Sequence, residues 1–309
     1  MSNENNISLP PRAGILAVVG RANVGKSTLL NAILGEKISI VSPIAQTTRR
    51  PIRGILTEPR GQLVFIDTPG THKATYDLGR LMNRQARQAA EGSDFILLVM
   101  DASTAPRLED EGWMRNLLHT GTRAVLVLNK IDRGRTHVPA YRDLWLRLAE
   151  ESKAPSSGTP AWFEVSAATA EGLPALLDGL FARIPEAPLL FPEEMLTDYP
   201  RKLFIADIIR EKYFGILLAE LPHAIAVFIE AIEESEAGWN ITGELLVNKA
   251  SQKGIVLGRN GGLLKKVQKE AAAELSAIYE KPVRLRLHVR VSPNWAANGS
   301  ELDRLGYRL

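Results

Sequence analysis

The sequence contains no cysteine among its 309 residues and only five histidines, scattered along the chain. Disulfide bonds and thiolate metal sites are therefore excluded, and no histidine spacing indicates a zinc site. The longest strongly apolar run, FILLVM at 95–100, is too short to cross a bilayer, and the start, MSNENNISLPPR, lacks the apolar segment of a signal peptide. We expect a monomeric cytoplasmic protein without a transmembrane segment. No amphipathic anchor is evident that would decide whether the protein associates peripherally with the inner face of the cell membrane, so this alternative stays open.

A strong excess of charge of either sign is also missing. The net charge is +3 at pH 7, which is small for a nucleic-acid binder, so its distribution matters more than its total. Residues 219–247 carry six acidic side chains and no lysine or arginine, whereas residues 248–290 carry ten basic side chains against three acidic ones. This basic block contains a G-x-x-G stretch at 258–261, and glycine loops among basic residues are typical of phosphate binding.

The chain length predicts about two domains. Over 10–185, apolar β-rich runs alternate with helical patterns, which is typical of an α/β fold with a mostly parallel sheet. A linker over 186–200 is marked by Pro188, Pro192 and Pro200 and by Pro185 just before it. Over 201–309, the order helix, strand, strand, short helix, helix, strand predicts a smaller α+β domain.

The first strand of the α/β region ends in GRANVGKST at 20–28, which matches G-x-x-x-x-G-K-[ST] between a strand and a helix. Backbone N–H groups of such a loop surround phosphates, the lysine reaches the β- and γ-phosphates, and the hydroxyl after it ligates Mg²⁺. The motif predicts a nucleoside triphosphate and leaves its base open. The candidate nucleotide-binding residues in it are Gly20, Asn23, Val24, Gly25, Lys26, Ser27 and Thr28.

The base is indicated by NKID at 129–132, which ends the apolar strand AVLVLN. A carboxylate at Asp132 would accept from guanine N1–H and the exocyclic amine, and two such bonds favour guanine over adenine by roughly 10²–10⁴-fold. Asn129 would brace the loop, and the stem of Lys130 would lie over the base. After a later strand, SAA would direct backbone N–H groups to guanine O6 from Ser166, Ala167 and Ala168.

Two further segments predict the catalytic set. In DTPG at 67–70, Asp67 would hold the Mg²⁺ shell and the Gly70 N–H would sense the γ-phosphate. In AQTTRR at 45–50, Thr48, or alternatively Thr47, would close on Mg²⁺ when the γ-phosphate is present. The candidate catalytic residues are thus Lys26, Thr48, Asp67 and Gly70, and the candidate metal ligands are Ser27, Thr48 and Asp67.

Thr71 stands after DTPG where many signalling GTPases carry a glutamine that orients the attacking water. We therefore expect slow hydrolysis without an activator. Asn23 is a candidate ligand for K⁺ in place of an arginine finger; the alternative is an asparagine that only shapes the phosphate loop.

Together, GRANVGKSTLLNAILG, AQTTR, DTPG, NKID and SAA, followed by the G-x-x-G region, resemble the Era family of bacterial GTPases. The resemblance runs over nearly the whole chain and includes SQKGIVLGRNG and the ending NWAANGSELDRLGY. It implies a GTPase domain over 10–185, a linker over 186–200 and a type II KH domain over 201–309. It also implies that the protein binds RNA near the 3′ end of small-subunit ribosomal RNA and assists maturation of that subunit.

A KH domain clamps the backbone of about four nucleotides at its G-x-x-G loop. Gly258 and Gly261 would permit the close approach, and the apolar IVL before them would form a floor under the bases. The candidate RNA-binding residues are Lys253, Gly258, Arg259, Asn260, Gly261, Lys265 and Lys266. Trp295 and Tyr307 would either stack on bases or serve as packing anchors.

The sequence predicts a GTP-binding and GTP-hydrolysing RNA-binding switch that uses GTP, GDP and Mg²⁺. Two alternatives stay open: an RNA-binding scaffold in which the nucleotide is structural, and a P-loop ATPase or kinase acting on RNA. NKID disfavours the second alternative, because adenine lacks the donors that Asp132 would accept.

Overall fold

A computed structural model describes residues 11–42, 48–69, 77–152, 160–217 and 221–307. Their contacts group into two compact units. The first comprises the described residues of Met1–Ser39, Pro51–Thr71 and Gln85–Asp198, and the second those of Ile40–Arg50, His72–Arg84 and Tyr199–Leu309.

The first unit is built around a six-stranded sheet in the order β2-β3-β1-β4-β5-β6. Its strands are β1 (Ala13–Val19), β2 (Ile52–Glu58), β3 (Gly61–Asp67), β4 (Phe95–Asp101), β5 (Ala124–Asn129) and β6 (Ala161–Glu164). Only β2 runs antiparallel to its neighbour. The helices are α1 (Lys26–Leu34), α2 (Asp77–Glu91), α3 (Leu108–Thr120), α4 (Val138–Ser152) and α5 (Leu173–Phe181), with the first residues of α2 grouped with the second unit. The predicted mostly parallel α/β fold is confirmed.

The central strands are apolar almost throughout because helices cover both faces of the sheet. Every residue of β4 is buried, and so are most residues of β1, β3 and β5. Parallel strands place their carboxyl ends along one edge, so the loops after β1, β3 and β5 meet there. This edge collects the phosphate loop, the DTPG aspartate and NKID.

The proline-rich segment lies along the antiparallel edge of this sheet. The buried Gln62 side chain accepts from the N–H groups of Leu190 and Phe191, each at 2.9 Å, and donates to the Phe191 carbonyl. The N–H of Ile55 on β2 donates to the Leu196 carbonyl at 2.8 Å. The segment thus accepts a hydrogen bond from a backbone N–H that the edge strand β2 would otherwise leave to solvent.

The second unit contains a three-stranded sheet, β7 (Ala226–Ser235), β8 (Gly238–Val247) and β9 (Val283–Val291). β8 pairs antiparallel with β7 and parallel with β9. The helices are α6 (Arg201–Phe214), α7 (Leu221–Ala224), α8 (Ala250–Leu257), α9 (Gly262–Tyr279) and α10 (Gly299–Arg304). The predicted smaller α+β fold is confirmed, and the structure adds α7 and α10.

The second unit also holds segments that precede the linker in sequence. Ile40 is 1% exposed in a core with residues of α6, α9 and the sheet. Leu78 and Met82 of α2 pack in a cluster with Trp295, Leu302 and other residues of this unit. These flanks of the candidate switch segments are therefore part of its apolar packing.

Trp295 and Tyr307 are 0% and 2% exposed, with ring centroids 6.4 Å apart. The indole N–H of Trp295 donates to the Ala224 carbonyl at 2.8 Å. Both rings are packing anchors, because faces buried in this way cannot stack on a base. In the part of the chain that the structure describes, no helix combines the length and apolar character needed to cross a membrane.

Candidate nucleotide site and candidate RNA loop

The phosphate loop turns sharply between β1 and α1, at two glycines whose φ angles are positive. Gly20 has φ 141° and Gly25 has φ 97°. A Cβ at Gly20 would lie 2.2 Å from the Val99 carbonyl oxygen, and one at Gly25 would lie 2.4 Å from Asn129 Nδ2. Because backbone and a buried amide close on these positions, no larger residue fits either one.

Lys26 begins α1 and folds back over the loop. Its ammonium donates to the carbonyls of Gly20 at 3.0 Å and Arg21 at 2.9 Å, and the residue is only 7% exposed. Burial lowers the pKa of Lys26 to about 8; the Asp67 carboxylate opposes this shift and Arg21 adds to it. The cation thus lies within the loop, where phosphates bind in this motif.

Ser27 and Asp67 supply oxygen donors beside this lysine. Ser27 Oγ donates to Asp67 Oδ2 at 2.7 Å, although the two residues are 40 positions apart. Oxygen ligands of this kind, a hydroxyl and a carboxylate, suit Mg²⁺. The donor set therefore fits the predicted metal. Thr28 follows in the first turn of α1 and is partly buried.

Sequence reasoning missed Ser39, which is fully buried and donates from Oγ to the same Asp67 oxygen at 3.0 Å. Asn31 of α1 holds Ser39 in place, since its amide donates to the Ser39 carbonyl at 2.7 Å and accepts from the Ser39 N–H at 3.0 Å. No local motif marks either residue. Only the fold brings them to Asp67.

The structure leaves the other residues of the two predicted switch segments untested as ligands. Thr48 is 8% exposed and belongs to the second unit, so its contact with Mg²⁺ stays a prediction. Gly70, Thr47 and Thr71 lie outside the described residues.

Asn129 connects the phosphate loop with the predicted guanine loop. Its Nδ2 donates to the Val24 carbonyl at 2.9 Å, and its Oδ1 accepts from the Ala167 N–H at 3.0 Å. Ser166 Oγ donates to Asp132 Oδ1 at 2.6 Å. NKID and SAA thus meet beside the phosphate loop, as the order of strands β5 and β6 requires.

Two of the backbone N–H groups in SAA already donate hydrogen bonds within the protein. The Ser166 N–H donates to the Glu171 carbonyl at 2.9 Å, and the Ala167 N–H donates to Asn129 as described above. Each would have to share or exchange its acceptor to reach guanine O6. Ala168 follows them in the same turn.

Lys130 adopts a left-handed backbone with φ 67°, and its ammonium donates to the Asn23 carbonyl at 2.5 Å. Asn23 itself has φ 64°, so the contact joins two turns that are both left-handed. The Lys130 side chain is thereby directed across the outer side of the phosphate loop.

A buried charge network, which no local motif predicts, holds the phosphate loop in place. Arg21 Nε donates to Asp110 Oδ2 at 3.1 Å, and its Nη2 donates to Thr104 Oγ1 at 2.7 Å. Burial raises the pKa of Asp110, against the effect of the Arg107 N–H and the Arg21 guanidinium. The network ties the phosphate loop to the start of α3.

In the second unit, the G-x-x-G stretch forms a tight turn between α8 and α9. Gly258, Asn260 and Gly261 have φ of 70°, 52° and 72°. A Cβ at Gly258 would lie 2.6 Å from Leu263 Cβ, whereas one at Gly261 would meet nothing within 4 Å. The turn is therefore closed on the Gly258 side and open on the Gly261 side.

The cations around this turn face solvent. Lys253, Arg259, Lys265 and Lys266 are all exposed. Lys266 lies 3.8 Å from Glu270, whereas among the described residues no ion pair is found for the other three. The predicted apolar floor is divided, because Val256 is 0% exposed in the core while Ile255 is 53% exposed.

Fold and geometry together define a P-loop protein with a second, smaller α+β domain that carries a G-x-x-G turn between two helices. The family model described as "50S ribosome-binding GTPase" matches residues 15–130, and a KH-domain model matches residues 220–296. GTPase Era of Synechocystis is 36% identical over 298 residues, covering 96% of this chain and 93% of the relative. The chain therefore belongs to the Era family of GTPases.

Two solved structures of the family agree over nearly the full chain. A variant of Aquifex aeolicus Era bound to GDP·AlF4⁻ has a TM-score of 0.86 and 36% identity, covering 96% of this chain and all of that one. Era in complex with MgGDPNP and nucleotides 1506–1542 of 16S ribosomal RNA has a TM-score of 0.86 and 35% identity, covering 97% of this chain and all of that one.

Proposed function

We propose that this protein is a GTP-hydrolysing RNA-binding switch that binds the 3′ region of small-subunit ribosomal RNA and assists maturation of the small ribosomal subunit. The observation that carries the GTP-binding part of the proposal is Asn129, whose single amide joins the phosphate loop to the guanine loop. A family member solved with 16S ribosomal RNA and MgGDPNP supports the RNA and the cofactors.

In the nucleotide site, Lys26 neutralises phosphate charge from inside the loop, and Asp132 accepts from the guanine edge while Ser166 holds its other side. Ser27 and Asp67 would hold Mg²⁺, with Thr48 as the predicted further ligand, and the ion would supply positive charge to stabilise the phosphates. Asn23 remains a candidate K⁺ ligand. Because Thr71 replaces a water-orienting glutamine, we expect slow turnover until a partner completes the site.

In the RNA site, the turn at 258–261 brings its backbone close to phosphates while Arg259 and Asn260 face outward. Lys253 and Lys265 add attraction that weakens with salt. We propose that residues 10–185 act as the GTPase domain, 186–200 as the linker and 201–309 as the KH domain.

Two arginines directly after Thr48 support a switch. The Arg49 guanidinium donates to the Ile225 carbonyl at 2.9 Å and the His223 carbonyl at 3.0 Å. The Arg50 guanidinium lies 3.9 Å from the centre of the Tyr307 ring and donates to the Gly306 carbonyl at 3.0 Å. An ordering of Thr48 by γ-phosphate and Mg²⁺ would therefore act on contacts that stabilise the second unit.

The test is the affinity of full-length protein for an RNA matching the 3′ end of 16S ribosomal RNA, measured at fixed salt with a non-hydrolysable GTP analogue and with GDP. Tighter binding with the analogue is expected from the switch. Equal affinity would reveal two independent sites, and failure to bind in both states would refute the RNA assignment.

The scaffold alternative is separated by multiple-turnover phosphate release, with and without K⁺ and RNA; a switch turns over, and a structural nucleotide does not. Equal competition by ATP and GTP would favour the ATPase or kinase alternative.

We further predict a cytoplasmic monomer. Sedimentation with anionic vesicles tests a membrane-bound fraction, and light scattering tests the oligomeric state.

A further inference from the structure

The last residue of β4, Asp101, lies directly beside the guanine loop. It pairs in register with Asn129 at the end of β5, and the N–H of Ala102 donates to the Asn129 carbonyl at 2.8 Å. Asp101 is 5% exposed. Two parallel neighbouring strands thus deliver a buried carboxylate and the NKID loop to the same point.

The Asp101 carboxylate holds the Lys130 ammonium. Asp101 Oδ2 accepts from Lys130 Nζ at 2.7 Å, and the side chains are 8% and 19% exposed. Together with the Asn23 carbonyl, this carboxylate fixes the far end of a four-carbon stem that would otherwise sample many rotamers. The lysine is therefore oriented by protein groups alone.

The carboxylate is itself fixed. Its second oxygen, Oδ1, accepts from the Ser103 N–H at 3.1 Å and the Ser103 hydroxyl at 2.6 Å, and Arg21 lies 4.0 Å from Oδ2. Burial raises the pKa of Asp101, but the hydrogen bonds from Lys130 and Ser103 outweigh it and the pKa falls below its ordinary value. Asp101 thus stays ionised at neutral pH.

We propose that Asp101 is a positioning residue for guanine-nucleotide binding, which acts by holding Lys130 in the orientation that covers the base. The inference rests on the proposed guanine site at NKID. An oriented lysine avoids an entropy cost when the nucleotide arrives, so its loss weakens GDP and GTP equally, whichever phosphates are present.

The test is a double-mutant cycle of GDP affinity, measured by calorimetry with Mg²⁺ on full-length protein. Asp101→Asn keeps the shape and removes the charge, and we expect GDP to bind about five- to tenfold more weakly, because a long side chain that is no longer held must be ordered when GDP binds. Lys130→Ala is expected to weaken binding at least as much. In the Lys130→Ala background, Asp101→Asn should cause no further loss.

Ser103→Ala is the matched control. It removes a hydrogen bond from the same carboxylate but leaves the pair with Lys130, so GDP affinity should stay within about twofold of the native protein. Circular dichroism and thermal unfolding check that each variant folds. If Asp101→Asn is not recovered folded, Asp101→Ser enters the same cycle.

The outcomes separate this inference from the guanine site. If the native protein does not bind GDP, the proposed guanine site itself fails. If it binds GDP but Lys130→Ala leaves the affinity unchanged, Lys130 does not act in the site and the positioning role of Asp101 is overturned. If Lys130→Ala weakens binding but Asp101→Asn does not, or if the two losses multiply in the double variant, only the positioning role of Asp101 is overturned.

Discussion

The two glycine loops of this chain differ in how tightly the protein surrounds them. Around the phosphate loop, added Cβ atoms would meet the Val99 carbonyl and the Asn129 amide, and Lys26 is almost fully buried. Around 258–261, the Gly261 side is open and Arg259 and Asn260 are exposed. A closed loop suits a small ligand held on all sides, whereas an open one suits the backbone of a polymer that must pass through.

The most disruptive change to the closed loop is Lys26→Ala. It removes charge-assisted hydrogen bonds to the β- and γ-phosphates, and two such bonds at about 1.5–3 kcal/mol each correspond to a fall in GTP affinity of about 10²–10⁴-fold. RNA affinity without nucleotide should be unaffected. Calorimetric titration with GTP tests the change, and retained GTP affinity would contradict the phosphate-loop assignment.

The contrast between the loops predicts unequal costs of adding one methyl group. Gly20→Ala forces a side chain against the Val99 carbonyl, and the free energy of unfolding should fall by about 3–5 kcal/mol. Gly261→Ala adds only left-handed strain, and should cost about 1 kcal/mol. Urea denaturation measures both.

A third alanine, Gly112→Ala in α3, is the matched control, because its Cβ would meet nothing within 4 Å and the backbone is helical. It should be neutral or stabilising. Similar losses for Gly20 and Gly261 would show that the two loops are equally enclosed.

Adding negative charge to the G-x-x-G turn should weaken RNA binding without affecting the nucleotide site. The double substitution Gly258→Asp with Gly261→Asp places two carboxylates where phosphates would approach, and RNA affinity should fall by about tenfold or more. GTP hydrolysis should stay nearly intact. Filter binding and phosphate release on the same preparations test this, with Gly112→Asp as a control for added charge in the other unit.

Salt dependence gives the smallest and most local test. Arg259→Ala should reduce the slope of log affinity for RNA against log salt by about 0.7, the contribution of one contact to a single-strand phosphate. Lys266→Ala should change it less, because Lys266 lies 3.8 Å from Glu270. An unchanged slope in both variants would remove Arg259 from the RNA contacts.

Local patterns predicted most elements of both units because their signals are strong. The apolar strands β1, β3, β4 and β5 are buried on both faces, and the helix predicted before the last strand of the α+β domain is α9. Val256 was harder to place, since three apolar residues in a row do not reveal which one faces the core. The packing of the proline-rich segment against the sheet was also not predictable from local patterns, because it depends on one buried glutamine, Gln62.

The phosphate loop, NKID and the G-x-x-G turn can be recognised without coordinates, because each depends on residue types at short fixed spacing, and the fold class follows from alternating strand and helix patterns. Which distant side chains support these loops depends on the folded chain. Ser39 reaches Asp67 across 28 positions, Arg21 reaches Asp110 across 89, and Arg49 reaches Ile225 across 176. Such contacts are set by strand order and packing, which bring together residues that no local pattern connects.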